Sequence, residues 1–366
     1  MASSGYRLVQ LANGAWSVHS LAHRETFHPV IGPVAEAEAL YVKQLRLCDR
    51  LRARQGEFVV WDVGLGAAAN ALTVLRAARD IPCTIRLDSF DHTIQPLCFA
   101  LNHAAALDYF GDYQGCVQHL VPHHRVSFAR GRQTVEWQLH LADFPALLAS
   151  ARTALPRPVR NERGEGRGEG RPTADTQALL LSAGQPASLN IQHSTSNIEH
   201  PTDPNAPREL GVGGSMLDVE GSSTAPPDRT SIPQSAPLPA PHAILFDAFS
   251  PARNPAMWTQ PLFADLFKHL DPQRPCAMPT YSRSTMLRVS LLLAGFFVGA
   301  GHATGEKEET TIAANTLDLI TEPLDRKWLA RARRSTSAEP LWEPVYRQAK
   351  MSDTTWEKLQ NHPQFG

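Results

Sequence analysis

The chain has 366 residues, 35 Lys and Arg against 36 Asp and Glu for a formal net charge of −1, and five scattered cysteines with no CxxC pair. Near-neutrality excludes strong generic attraction to nucleic acid while leaving a local basic patch open, and the cysteine pattern fits reduced thiols in a cytoplasm rather than a disulfide framework. No apolar run is long enough to span a bilayer, because Leu287 to Ala300 is broken by Arg288 and Ser290, and the amino end lacks the basic-then-apolar order of a signal peptide.

Tyr6–Leu11 and Ala15–Ser20 flank Asn13-Gly14, a pair that tolerates the positive φ angles of a tight hairpin turn. Ala35–Leu45 is rich in helix formers and reads as a helix. Phe58–Val63 is a continuous apolar run ending near an acid; Gly64-Leu65-Gly66 and the Ala-rich segment 67–79 follow, the order of a buried parallel strand, a glycine turn and a helix. A strand at Ile85–Asp91, a helix at Pro96–Leu107, and a hairpin or third strand from Val126–Phe128 and Val135–Leu141 come next, closing at Asp143.

From Pro145 to Leu245 there is no Phe, Trp or Tyr, and 13 of the 29 prolines fall within residues 151–241. Such a stretch buries too little apolar surface to offset an ordering entropy of about 1 to 2 kcal/mol per residue, so it reads as a disordered insert. The fold resumes with a strand at Ala243–Phe246, then a helix (Gln260–Leu270), a strand (Cys276–Tyr281), a helix (Ser284–Leu293) and two closing strands near residues 296–299 and 310–314. The expected organisation is residues 1–150 and 242–320 as two halves of one α/β domain, an insert at 151–241 and a tail at 321–366. Alternating strands and helices predict a mostly parallel sheet with helices on both faces.

In such sheets ligands sit beyond the carboxyl ends of the strands, where the chain order reverses. The turn Asp62-Val63-Gly64-Leu65-Gly66, Asp91, Asp143 and Asp247 all fall at that edge. Glycines let backbone approach a ligand, the following helix offers free N–H groups, and Asp91 at a second strand end suits a ribose diol. Together these suggest a nucleotide-like cofactor, although Gly64 and Gly66 alone fit an ordinary strand-to-helix turn equally well. Nicotinamide stays open, whereas a P-loop is excluded because no Gly-Lys-Ser/Thr follows a glycine loop. The stretch Asp247-Ala248-Phe249-Ser250-Pro251-Ala252-Arg253-Asn254-Pro255-Ala256-Met257-Trp258 reads as a reaction-centre loop, with a rigid connection packed on Trp258 as the plainer alternative. His28 is a possible substrate contact or a structural donor. No metal is expected, since His103 and His123-His124 have neither i, i+4 pairing nor cysteines at ligand spacing.

Residues 244–259 resemble the Asp-Gly-Phe-Ala-Pro-x-x-Asn-Pro-x-Met-Trp signature of the methyltransferase half of the MnmC family of tRNA wobble-uridine modification enzymes. Glu25–His28 with Ile31–Pro33, Gly64–Gly66 with Asn70, Ser89–Asp91, Thr280–Ser282 and Ala294–Phe296 resemble further blocks in the same order. The resemblance implies a Rossmann-like class I methyltransferase using S-adenosyl-L-methionine. It places Asp62, Gly64, Gly66, Asn70, Asp91, Asp143 and Asp247 at the cofactor, with Asp91 on the ribose diol and Asp143 facing the adenine amino group. Asp247, Phe249 and Tyr281 would border the methyl-transfer centre, and tRNA would be the partner. Only about fifty residues follow Asn315, so a flavin oxidase half is not expected and a separate FAD-dependent oxidase becomes the implied partner.

Two departures bear on activity. Ala67-Ala68 replaces the Thr-Gly of a family Gly-x-Gly-Thr-Gly-x-Asn stretch, and Glu306-Lys307-Glu308-Glu309 replaces Arg-Lys-Arg-Glu, weakening attraction to phosphate. They motivate two alternatives, a cofactor-binding scaffold without catalysis and a methyltransferase for a small-molecule amine. Arg326, Lys327, Arg331, Arg333 and Arg334 form a basic cluster that suits either RNA or solvent.

Overall fold

The computed structural model describes residues 5–153, 238–305 and 308–366, so residues 154–237 of the expected insert lie outside the described chain. In chain order the elements are β1 (Tyr6–Gln10), β2 (Trp16–Ser20), β3 (Glu25–Thr26), α1 (Pro33–Ala37), a π-helical stretch (Glu38–Gln44), α2 (Leu47–Ala53), β4 (Glu57–Val63), α3 (Ala69–Ala78), β5 (Cys83–Asp91), α4 (Gln95–Asn102), α5 (Ala104–Leu107) and α6 (Gln114–His123). They continue with β6 (Arg125–Arg130), β7 (Gln133–Leu141), α7 (Phe144–Thr153), β8 (Ala243–Phe246), α8 (Gln260–His269), β9 (Ala277–Thr280), α9 (Thr285–Ala294), β10 (Phe297–Gly301), β11 (Thr310–Ala314), α10 (Arg326–Arg334) and α11 (Asp353–Gln360).

Strands β4 to β11 form one sheet in the order β10-β11-β9-β8-β4-β5-β7-β6, in which β9, β8, β4, β5 and β7 run parallel. The chain moves outward from β4 through β5 to β7, then returns to place β8 on the other side of β4, which puts the reversal of order between β4 and β8. β6 pairs antiparallel with β7, so the expected hairpin and the expected third strand are both present. β1 and β2 pair antiparallel around Asn13-Gly14 and, with β3, make a separate three-stranded sheet.

The strands show why the sheet is covered on both faces. Side chains alternate along a strand, and β4 sends Phe58 and Val60 to one core while Val59, Trp61 and Val63 enter the other. β8 divides likewise, Ala243 and Leu245 against Ile244 and Phe246. A strand buried on both faces needs apolar residues at every position, which is the continuous run seen in the sequence.

Three expectations are corrected. The helix expected at residues 35–45 is α1 followed by a π-helical turn, in which the buried Tyr41 donates its hydroxyl to the Phe246 carbonyl at 3.2 Å. The helix at 96–107 is broken at His103, whose Nδ1 bonds the Phe99 carbonyl. Residues 321–366, expected as a tail, pack against the second core through Leu324, Trp328, Leu329, Ala332, Leu341, Met351, Leu359 and Phe365. The physical reason is visible at Gln364, whose side chain accepts from Val298 N and donates to Val298 O and Leu324 O, pairing the outer edge of β10. Near the insert, α7 extends to Thr153, and Trp61 Nε1 donates to the Pro239 carbonyl at 3.1 Å, so packing resumes before residue 242.

Candidate active site

A cavity of about 690 Å³ opens at the carboxyl edge of the parallel strands, over the reversal between β4 and β8. Gly64, Gly66, Asn70, Asp91, Asp143, Asp247, Phe249 and Tyr281 all line it, so eight positions chosen from the sequence meet in one place. Asp62 is the exception. It does not line the cavity, and its carboxyl is fully buried in β4.

The first wall is the turn after β4. Gly64 has φ +91°, and a Cβ there would lie 2.6 Å from the Asp247 carbonyl oxygen, so only glycine lets the β4 and β8 ends approach this closely. The chain then enters α3 through Ala68, which sits at φ +63° with no Cβ-free residue to relieve it. This is the position where the glycine of the resembled motif is missing, and α3 has no side-chain cap on its first N–H groups. Gly66 N–H donates to Asp91 Oδ2 at 2.9 Å, and Thr93 N–H donates to Oδ1 at 3.2 Å, fixing the Asp91 carboxylate at the end of β5. His92 Nδ1 lies 3.3 Å from the same carboxylate, and that hydrogen bond raises the imidazole above its ordinary range. Asp143 is exposed, and its Oδ1 accepts from Ala146 N–H at 2.8 Å, so it caps α7 while lining the cavity.

The opposite wall follows β8. Asp247 Oδ2 accepts from Asn70 Nδ2 at 2.8 Å and lies 3.4 Å from His28 Nε2. Tyr281 donates its hydroxyl to the Ala248 carbonyl at 3.0 Å, and Trp258 Nε1 donates to the Phe249 carbonyl at 2.7 Å. Burial, with Asp247 nearby, holds Tyr281 well above the usual phenol range, so it acts as a neutral donor. Trp258 is thus both buried core and loop anchor, combining the two readings of the 247–258 stretch. The Phe249 ring stacks on His23 with centroids 4.0 Å apart and meets Phe27 edge-on at 5.4 Å. Glu25 accepts from Ser250 N–H at 3.1 Å and from the Ser250 hydroxyl, which ties the loop to β3.

Beneath these walls, Trp137 Nε1 donates to Ser89 Oγ, and Ser89 donates to Asp62 Oδ2, both at 2.9 Å. Asp62 Oδ1 is buried without a hydrogen-bond partner. Burial raises the Asp62 carboxyl to about 7, against the lowering effect of the Ser89 bond.

Sequence reasoning missed Glu36, His23 and His92, which also line the cavity. Glu36 lies in the stretch read only as a helix rich in helix formers, yet it is buried and lies 3.3 Å from His28 Nδ1. Atoms of His28, Glu36 and Asp247 lie within 4.8 Å of one another. His28 Nδ1 is hydrogen-bonded to Glu36 Oε1 at 3.3 Å, and its Nε2 lies at ion-pair distance, 3.4 Å, from Asp247 Oδ2. Among the described residues no helix is long and apolar enough to cross a membrane.

Residues 229–316 match the model of a family described as S-adenosyl-L-methionine-dependent methyltransferase. Two relatives, each a tRNA 5-methylaminomethyl-2-thiouridine biosynthesis bifunctional protein MnmC, come from Ectopseudomonas mendocina (strain ymp) and Pseudomonas savastanoi pv. phaseolicola (strain 1448A / Race 6). They are 32% and 35% identical over 96 and 92 residues, which is 26% and 24% of this chain. The matched stretch spans 14% of the length of each relative. The crystal structure of MNMC2 from Aquifex aeolicus shares the fold, with a TM-score of 0.54 at 15% identity over 98% of this chain and 85% of that one. Fold and matched segment define a Rossmann-like, S-adenosyl-L-methionine-dependent methyltransferase. Within that class the chain is MnmC-like, resembling the methyltransferase half of that protein.

Proposed function

We propose that this enzyme N-methylates an aminomethyl group on a modified wobble uridine of tRNA, in the cytoplasm, with a separate FAD-dependent oxidase as partner. The observation that carries the reading is the meeting of Asp247, held by Asn70, with the Gly64 cradle at one reversal point of the sheet. The bifunctional relatives named above concern tRNA 5-methylaminomethyl-2-thiouridine, and the matched segment includes the Asp247 loop.

The residues fit S-adenosyl-L-methionine. A cradle that a Cβ would fill, uncapped N–H groups at the start of α3, and a carboxylate with remaining acceptor capacity at Asp91 suit its carboxylate and ribose. Gly64, Gly66, Asn70 and Asp91 would hold it, with Asp143 at the adenine end. When bound, it supplies an electrophilic sulfonium methyl.

The protein must orient an amine and leave its lone pair free. Asp247 at the cavity wall takes the proton that an ammonium has to lose, while Phe249, stacked on His23 and braced by Phe27, forms an aromatic wall for a base. Tyr281 fixes the loop through Ala248. The test is calorimetric titration with S-adenosyl-L-methionine and, separately, NADH, followed by methyl transfer to bulk tRNA carrying 5-aminomethyl wobble uridine. Binding and transfer are expected with the first cofactor. Binding of NADH alone overturns the class of reaction. Cofactor binding without transfer to tRNA or to small amines favours the scaffold, and transfer to small amines alone favours the small-molecule enzyme.

A further inference from the structure

We propose that Glu36, His28 and Asp247 form a proton relay, in which His28 is a positioning residue that receives the acceptor's proton from Asp247. The inference rests on the amine-methylation reading, but its geometry does not. His28 Nδ1 lies 3.3 Å from Glu36 Oε1 and Nε2 lies 3.4 Å from Asp247 Oδ2. His28 and Glu36 are nearly inaccessible to solvent, at 9% and 3% exposure. An imidazole can donate to carboxylates on both sides only when both nitrogens carry protons, and can pass one along when they do not.

The backbone supports a dedicated role. His28 has φ +49°, a left-handed conformation that is unfavourable for a residue with a Cβ. The residue that adopts it lines the cavity. A buried glutamate facing a histidine from another element is also an arrangement with little packing value of its own. Glu36 comes from α1, His28 from the loop after β3, and Asp247 from the end of β8. Among the described residues, the ionisable groups that act on His28, Glu36 or Asp247 include Asp62 from β4, Tyr41 from the π-helical stretch and Tyr281 after β9, which itself faces Glu25 from β3.

The step balances without another reactant. An acceptor ammonium gives one proton to Asp247; the N–H bond breaks, its electron pair stays on nitrogen, and an O–H bond forms. The proton then moves from the Asp247 carboxyl to His28 Nε2. The result is an imidazolium between two carboxylates, an arrangement that favours the charged ring. Asp247 is again an anion beside the amine. Without the relay, an acid left protonated at the reaction centre would hand its proton back.

Two measurements test this on the full chain. The first is NMR titration of ring-labelled histidine in wild type, Glu36→Gln and Asp247→Asn. Each substitution removes a carboxylate from the ring and should lower the His28 midpoint by about one pH unit or more. A midpoint indifferent to both substitutions overturns the relay. The second is single-turnover methyl transfer by His28→Asn, chosen because asparagine tolerates positive φ. The rate should fall on the order of 100-fold near pH 7 and recover as rising pH deprotonates the amine, with cofactor affinity within about threefold of wild type. A loss equal at all pH values, no loss, or transfer that requires an added divalent cation overturns the relay. If wild type transfers nothing to tRNA, the acceptor reading fails separately, and the titration alone decides whether His28 is coupled to both carboxylates.

Discussion

Asp62→Asn should make the protein more stable at neutral pH, and the gain should grow with pH. In the unfolded chain Asp62 ionises near its ordinary value of 3.8, whereas in the fold burial holds its proton up to about 7. A group raised in the folded state contributes fully below the unfolded value and loses that contribution as pH climbs to the folded one. Three units correspond to about 4 kcal/mol, lost at close to 1.4 kcal/mol per pH unit between about pH 4 and 7. Asparagine keeps an acceptor for the Ser89 hydroxyl and never ionises; its amide would occupy the place of an oxygen with no hydrogen-bond partner, at a pH-independent penalty of about 1 to 3 kcal/mol. Urea unfolding of both proteins at intervals from pH 4.5 to 8 isolates the Asp62 contribution, since the remaining ionisable groups largely cancel. With an m-value of about 3 kcal/mol/M, the difference between their midpoints should move by about 1 M in favour of asparagine. A difference constant across that range would refute the reasoning, because Asp62 would then ionise in the fold as it does in the unfolded chain.

Gly64→Ala should lower stability by about 2 to 5 kcal/mol, the sum of a positive-φ penalty and a Cβ placed 2.6 Å from the Asp247 carbonyl, visible as a fall of roughly 5 to 15 °C in melting temperature. Asp91→Ala should weaken S-adenosyl-L-methionine about 10- to 150-fold by calorimetry through loss of charged hydrogen bonds, with the rate at saturation little changed. Asp247→Asn should do the reverse, slowing single-turnover transfer by about 10²- to 10⁴-fold at nearly constant cofactor affinity. Arg24 and Arg253 are exposed on the cavity rim, and replacing either by alanine should lower the salt slope of tRNA binding by up to about one.

β4 and β8 were legible because burial on both faces favours uninterrupted apolar runs, as in Phe58–Trp61 and Ala243–Phe246. The carboxyl ends of β4, β5, β7 and β8 could be named because each ran into a glycine or an acid, whereas β9 runs into Tyr281. The lining glutamate was not legible. Glu36 has the composition of a solvated helix, and only the chain's three-dimensional return brings His28 against it. Asp62 was read as a cofactor ligand because it precedes the glycine turn, but strand alternation turns it away from the cavity and toward Ser89. The carboxyl-terminal residues read as a tail because their apolar positions are sparse among arginines. Trp328, Leu329 and Ala332 nevertheless share one helical face, and a hydrogen-bonded strand edge gives the remainder a place to dock. Arg333, one of the cluster considered for RNA, is instead engaged with Asp353 and the Trp356 ring.

The pairing of β8 with β4 has a consequence for how this protein is made. Val63 and Phe246 are register partners, yet 182 residues lie between them in the chain the ribosome makes. At about 5 to 20 residues per second, roughly 10 to 40 seconds pass in which β4 can have β5 on one side while its other hydrogen-bonding edge awaits β8. That edge belongs to an apolar strand, the kind that neighbouring chains on a polysome can capture. Yield in the cell should therefore respond to chaperone supply and to translation speed across residues 64–242, even where the finished enzyme is equally stable.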